Sequence, residues 1–265
     1  MTDPVRVRAS SWGELLDCAH RWEAKHLLGM TMPTSSAGAL GTALHKSTAT
    51  FDKSRMSGTG LTVNETAAVL VDSLANPEYE VTWDEPKRDL EKIGLTLHTD
   101  YCRNWSPKFE FVGVEMETKP LDIDVGGFVI RLTGTMDRAR AHKTAKGFGI
   151  DDVKSGKRAV DKDGKADTKS HGAQLGVYEL LFEHTTGETV TEPANIIGMR
   201  TGNNPTIGMG QIVGAKQQII GWPGEPGLLE MGAHLLKAGI FPPNPRSQLC
   251  SPKFCPRWNS CRFHD

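Results

Sequence analysis

The sequence predicts an α/β (α+β) fold, and three observations carry that reading. Apolar residues recur at helical spacing through most of residues 1–105. Alternating stretches rich in β-branched and aromatic residues follow over residues 106–200, punctuated by glycine turns. From residue 240 the chain becomes a proline- and cysteine-rich tail (240–265) without strong periodicity. A length of 265 residues suits one domain spanning 1–265, built from these parts, and suffices for a substantial core.

The elements follow in order. Ser10 and Ser11 precede Trp12-Gly13-Glu14-Leu15-Leu16, a capped helix start, and this helix is expected to carry Cys18, Arg21 and Trp22. A loop rich in glycine, serine and proline spans Gly29 to Gly38. A helix from about Ala39 to Lys53 carries His45. Glu65 to Leu74 and Lys87 to Trp105 also read as helices. In the second, Leu90, Ile93, Leu97 and Tyr101 form a stripe that suits the core. Phe109 to Glu117 reads as a strand. Leu121 to Val125, the Gly126-Gly127 turn and Phe128 to Ala141 read as a hairpin. A turn at Lys143 to Gly147 leads into the strand Phe148 to Lys154, giving a meander of three or four strands. A polar linker, Ser155 to Ser170, leads to a helix from Gly172 to Phe182. Ile196 to Met199 adds a strand and Glu225 to Ala238 a late helix, which Phe241-Pro242-Pro243 ends.

A net charge of -1 gives no global signal for nucleic acid. The local clusters are Lys154, Lys157 and Arg158, and Arg131, Arg138 and Arg140 on the hairpin; their ordinary reading is a solvated face. No apolar run is long enough to span a membrane. The polar stretch Met1 to Ser11 lacks an apolar signal core, so a cytoplasmic location is expected. No P-loop pattern is present, so no attached helicase motor is expected.

Four short signatures stand out: Gly41-Thr42-Ala43-Leu44-His45, Gly134-Thr135-Met136-Asp137, Asp152-Val153-Lys154-Ser155-Gly156 and Gln174-Leu175-Gly176-Val177-Tyr178. Singly, each has an ordinary structural explanation, such as a surface ion pair or close helix packing. Together they supply the groups that metal-dependent cleavage of a phosphodiester needs. Asp152 and Lys154 share a strand face because side chains alternate, with Val153 turned to the core. The neighbouring hairpin strand can bring Asp137 beside Asp152. Two adjacent carboxylates repel, and a divalent cation relieves that repulsion. Hard oxygen ligands suit Mg²⁺ or Mn²⁺. The Val153 carbonyl and His45 can complete the metal shell, and Lys154 can orient water or offset developing charge. Asp151 competes with Asp152 as ligand, but the face shared with Lys154 favours Asp152. Gln174 and Tyr178 lie one helical turn apart.

Cys250, Cys255 and Cys261 sit close in the tail, and Cys18 supplies a fourth thiolate. In a reducing compartment such a set reads as metal or cluster ligands, and Cys102 as a buried bystander. Four thiolates suit either Zn²⁺ or a [4Fe–4S] cluster.

The four signatures in this order resemble the RecB-like nucleases of the PD-(D/E)XK superfamily, a group that includes AddB-type, CRISPR-associated and phage exonucleases. The resemblance covers Ser11 to Cys261. It implies a restriction-endonuclease-like core with a central mixed sheet flanked by helices. His45 then stands as a metal-binding histidine, Asp137 as the first catalytic aspartate, and Asp152 and Lys154 as the D-x-K pair. Gln174 and Tyr178 match a Q-x-x-x-Y helix associated with holding DNA, and Glu115 has at most a minor role. Met136 replaces the proline of the superfamily's name. One distant cysteine plus a compact trio resembles the iron–sulfur staple of the AddB-type and CRISPR-associated relatives, which favours [4Fe–4S] over Zn²⁺ and joins the termini. The Cys250–Cys255 interval is longer than the usual one.

The activity implied is a Mg²⁺- or Mn²⁺-dependent DNA exonuclease in phage or bacterial recombination, repair or end resection, with DNA as partner and a single-strand annealing protein alongside it. An oligomer would serve processivity. A CRISPR-associated end-trimming nuclease and a non-catalytic iron–sulfur DNA-binding module are the alternatives.

Overall fold

In the computed structural model, which describes residues 3–143 and 146–264, strand β1 (Val5–Arg8) precedes a 3-10 turn and two short helices, α1 (Trp12–Asp17) and α2 (Ala19–His26). The sequence reads these as one helix. Cys18 divides them with an extended backbone (φ -143°, ψ 92°). Next come β2 (Thr34–Ser35), α3 (Ser36–Ser57), α4 (Val63–Ala75), β3 (Val81–Thr82) and α5 (Lys87–Asp100). The Ser35 hydroxyl caps α3 by accepting from the Gly38 amide at 3.3 Å, and left-handed Gly58 ends it. Thr62 and Glu65 form a reciprocal capping box on α4. α5 widens into a π turn at Tyr101–Trp105.

The strands β4 (Glu110–Glu117), β5 (Leu121–Val125), β6 (Phe128–Thr133), β7 (Thr135–Ala141) and β8 (Phe148–Gly156) follow. Residues 144 and 145 of the expected turn at Lys143–Gly147 lie outside the described residues; around them the His142 amide donates to the Gly147 carbonyl at 2.9 Å. The remaining elements are α6 (Gly172–Thr186), β9 (Ala194–Arg200), β10 (Thr206–Ile212), α7 (Ala215–Ile220), β11 (Gly221–Trp222), β12 (Glu225–Pro226) and α8 (Leu228–Ala238). Glu225 therefore belongs to a small strand and not to the late helix.

The central sheet is mixed, as expected, with order β10-β9-β8-β7-β4. β8 and β9 run parallel and the other neighbours antiparallel. The sheet extends past residue 200, because β10 pairs along the whole of β9. The expected meander is split. β6 joins β5 and β1 in a separate three-stranded sheet, while β7 joins the central one. The switch falls at Gly134, where a Cβ would stand 2.8 Å from the Tyr178 ring. Only glycine lets the chain turn there against α6.

Helices cover both faces of the central sheet. Ile150, Ala194 and Ile196 face one core with α1, α6, α7 and α8; Val153, Ile197 and Met199 face the other with α3, α4 and α5. This double burial explains the near-continuous apolar run of β9. Among the described residues no helix is long and apolar enough to cross a membrane.

Glu179 of α6 is buried and accepts the backbone N–H of Lys216 at 3.0 Å, anchoring the start of α7. Burial outweighs that hydrogen bond and the Lys216 charge, and its carboxyl is pushed up to about 7 from an ordinary 4.5. The folded state thus holds more protons than the unfolded one between these values, and stability falls as pH rises through the window. Glu179→Gln keeps the acceptor and removes the charge. We expect it to raise Tm by roughly 3 °C or more at pH 8, with the gain gone below about pH 4.5. Thermal melts at both pH values check this; an equal shift at each contradicts it.

Candidate active site

The site forms where the middle of α3 meets β4, β7 and β8. α3 approaches closely because residue 41 is glycine: a Cβ there would stand 2.8 Å from Ser155 Oγ at the end of β8. One turn on, His45 Nδ1 lies 3.3 Å from Asp137 Oδ2. The same carboxylate oxygen accepts the Val153 amide at 2.8 Å, which holds Asp137 of β7 against β8. Glu115 stands opposite Asp137, between the paired residues Val114–Arg138 and Met116–Met136. One donor atom from each of His45, Glu115 and Asp137 lies within 4.8 Å of the others.

Glu115 is the residue that sequence reasoning undervalued. Its backbone is left-handed (φ 47°), the only non-glycine case among the described residues. Such a conformation costs about 1–3 kcal/mol and persists where surrounding structure enforces it. Here it turns the carboxylate toward Asp137. The glutamate itself is visible in the sequence; the irregular backbone that aims it is not.

Asp152 and Lys154 share the β8 face toward α6, as alternation requires. Asp152 is buried (1 % exposed). Its Oδ2 lies 2.6 Å from Lys154 Nζ, and its Oδ1 accepts from Gln174 Nε2 at 3.1 Å. Gln174 also donates to the Tyr178 hydroxyl at 3.3 Å. Gln174 therefore touches a carboxylate of the site directly, and Tyr178 reaches it through Gln174. Val153 turns its side chain into the opposite core. Asp151 points away from Lys154: it pairs with Arg140 and accepts from Asn195 Nδ2 at 2.8 Å. Its partners are structural, and burial pushes its carboxyl up to about 6.

Electrostatics mark the same place. Burial, then the Asp137 charge, pushes Asp152 up to about 6. Burial and then Asp137 also raise Glu115. Burial opposes the charge on Lys154, but Asp152 and Asp137 outweigh it and its pKa rises. The arrangement is a crowd of carboxylates with one imidazole nitrogen and one ammonium group. This donor set fits a hard divalent cation, which would relieve the crowding. Of the expected hairpin arginines, Arg138 and Arg140 are buried and not on a solvated face; only Arg131 is surface-paired, to Asp122 at 2.7 Å.

The four tail-associated cysteines are all free thiols. Cys18, Cys250, Cys255 and Cys261 border one small cavity with Pro243 and Trp258. The Asn244 amide approaches Cys18 Sγ at 3.4 Å. Burial, then Cys255, Cys261 and Cys18, raise the Cys250 thiol. Among the described residues no three of these sulfurs lie mutually within 4.8 Å, so they form no compact cluster. Cys102 is buried elsewhere, 3.5 Å from His98 Nε2.

The chain belongs to the PD-(D/E)XK nuclease superfamily, whose family model matches residues 7–262. Nucleases of this superfamily use divalent metals, and DNA is the substrate that membership implies. A structure described as a "Putative exonuclease" from Eubacterium rectale is 14 % identical, with a TM-score of 0.50 over 92 % of this chain and 86 % of that one. The crystal structure of SSO0001 is 15 % identical, with a TM-score of 0.47 over 99 % and 88 %. No curated protein matches the sequence.

Removing one carboxylate should damage function and relieve the metal-free fold at once. Asp137→Ala, Asp152→Ala and Lys154→Ala are each expected to lower DNA cleavage about a hundredfold or more. Glu115→Gln is expected to weaken Mn²⁺ binding in calorimetry, while its Tm in EDTA stays at or above wild type because like-charge repulsion is removed. Wild-type Mn²⁺ affinity in Glu115→Gln would take Glu115 out of the site.

Proposed function

We propose that this protein is a RecB-like, Mg²⁺- or Mn²⁺-dependent DNA exonuclease acting in recombination, repair or end resection. The single observation that carries the catalytic reading is the grouping of His45, Glu115 and Asp137 within 4.8 Å, next to the strand that carries the Asp152–Lys154 pair. His45, Asp137, Asp152 and the Val153 carbonyl, with Glu115, would hold the cation. A bound divalent ion lowers the pKa of a coordinated water and offsets charge on the phosphodiester. Lys154 stays protonated beside Asp152 and orients the attacking water or balances the phosphate. Gln174 fixes the Asp152 carboxylate, and Tyr178, whose hydroxyl accepts from Gln174, lines the adjoining cleft, where DNA would be held. The end-dependence rests on the resemblance of the four signatures to RecB-like nucleases. In the same reading a single-strand annealing protein receives the resected strand in the cytoplasm.

End-labelled linear and circular DNA, incubated with Mg²⁺ or Mn²⁺, tests this reading. Linear DNA is expected to be degraded from its ends, circular DNA spared, and EDTA to stop the reaction. Equal attack on circular DNA excludes an exonuclease. The label released first gives the polarity.

Cys18, Cys250, Cys255 and Cys261 are proposed to hold a [4Fe–4S] cluster that staples both ends of the chain. The cavity that all four border supports this. Anaerobically purified protein is expected to be brown, absorbing near ~400 nm. Serine at any of the four positions should bleach it and lower Tm, whereas Cys102→Ser keeps its colour. Stoichiometric zinc without iron would overturn the cluster and leave the nuclease reading intact.

A further inference from the structure

We propose that a single-stranded flank of the DNA substrate is bound along a basic groove that starts at Tyr178, passes Arg6 and Arg8 on β1, and ends at Lys253 and Phe254 in the cysteine tail. The proposal rests on the reading of the protein as a DNA nuclease and names the form of DNA it holds.

β1 is an edge strand whose Val7 is buried while Arg6 and Arg8 on either side are exposed. Two residues apart on one strand, they project the same way about 6.6 Å apart, a spacing suited to successive phosphates of an extended chain. Other arginines of this region are committed to partners. Arg131 is held by Asp122 at 2.7 Å and Arg138 by Asp52 at 2.6 Å. Among the described residues, Arg6 and Arg8 form no ion pair; Arg6 donates only to Thr133 Oγ1, at 3.2 Å. They stand beside Thr133 and Gly134, where the chain enters β7 and reaches Asp137.

The clefts on this surface adjoin one another at shared residues. Arg6 and Arg8 line one with Glu117, Gly134, Thr135 and Tyr178, which receives the Gln174 amide. The same two arginines line an open cleft with Lys25, Met30, Lys253 and Phe254. Lys25 and Phe254 also border the cleft that contains Lys154 and Gln174. The groove thus begins at Tyr178, which Gln174 connects to Asp152, and returns at Lys154. Among the described residues no carboxylate lines its widest stretch. Lys25 and Lys253 are balanced by Glu14 and Asp84, so Arg6 and Arg8 supply the unbalanced charge.

In a chain with a net charge of -1, attraction for phosphates has to be local. The groove adds apolar surface to its cations: Met30, and a Phe254 ring that is 41 % exposed. Unpaired bases can stack on such a ring, whereas a duplex keeps its base faces inside and offers only phosphates and base edges. Cations alternating with an exposed ring therefore fit a single strand.

The test uses the full chain with its metals, in Ca²⁺ buffer for binding. Fluorescence anisotropy compares wild type, Arg6→Ala/Arg8→Ala, Arg6→Lys/Arg8→Lys and Phe254→Ala on a labelled single-stranded oligonucleotide and on a blunt duplex of equal length. Hydrolysis of bis(p-nitrophenyl) phosphate with Mn²⁺ reports the catalytic centre without needing the groove. The double alanine variant is expected to lose about tenfold or more in single-strand affinity, with the slope of log K against log salt smaller by about 1.4. It should keep hydrolysis of the small ester, and the lysine variant should recover most of the binding. Phe254→Ala should weaken single-strand binding with no change in salt slope. Wild-type single-strand affinity in the double alanine variant overturns the groove and leaves the nuclease reading standing. An equal or larger loss on blunt duplex overturns the single-strand assignment. A wild-type protein that hydrolyses the ester but binds neither DNA overturns both the groove and the DNA reading.

Discussion

The interaction on which the rest of the structure depends is the buried pair of Asp52 and Arg138, 86 residues apart in sequence and both fully enclosed. Arg138 Nε donates to Asp52 Oδ2 at 2.6 Å, Nη1 to the Asp137 carbonyl at 2.8 Å and Nη2 to Thr48 Oγ1 at 3.2 Å. Asp52 also accepts the Tyr101 hydroxyl at 2.6 Å and the Ser106 hydroxyl. One guanidinium and one carboxylate thereby tie α3, the π turn after α5 and β7 together. Burying two charges is expensive, and only such a fully bonded network recovers the cost. Breaking a pair of this kind by removing one partner costs about 3–5 kcal/mol. Burial works against the Arg138 charge, but Tyr101, Asp52 and Asp137 outweigh it and raise its pKa.

That network explains how a crowd of like charges is held in place next door. His45, Thr48 and Asp52 recur on one face of α3, so a helix pinned by Asp52 and Thr48 has little freedom to withdraw His45 from Asp137. On the strand, the residue after Asp137 is the pinned one. Glu115 Oε1 lies 3.6 Å from Arg138 Nη1, near enough for attraction, which offsets part of its repulsion from Asp137. The carboxylates of the site are thus assembled by a cation that itself lies behind them. The ends of the chain meet in a comparable way, where Asp17 accepts the Ser247 hydroxyl at 2.5 Å and Glu23 pairs with Arg257 at 2.9 Å.

Much of this was legible in the sequence, because it follows from local periodicity. Apolar spacing located the main helices, and glycine and proline located their ends. The alternation of a strand required Asp152 and Lys154 to face together, opposite Val153. One turn of helix required Gln174 and Tyr178 to be neighbours. A polar stretch of carboxylates, imidazole and lysine in four short signatures pointed to one site, and the structure brings these residues together.

Only the tertiary structure decided the remainder, since it depends on contacts between residues distant in sequence. Asp151 and Asp152 are adjacent aspartates. One became a structural partner of Arg140 and Asn195 and the other a member of the site, according to what packed on each face. Arg138 reads as a surface charge until Asp52 arrives to bury it. Glu115 is aimed by a left-handed backbone that no periodicity encodes. The hairpin divides at Gly134 because Tyr178 of a later helix occupies the space beside it. β10 pairs with β9 although its glycine-rich sequence, Thr206 to Ile212, has little strand propensity of its own. Local sequence determined which segments were helices and strands and which polar groups shared a face; long-range packing determined which charges were buried, which were paired and which were left to act.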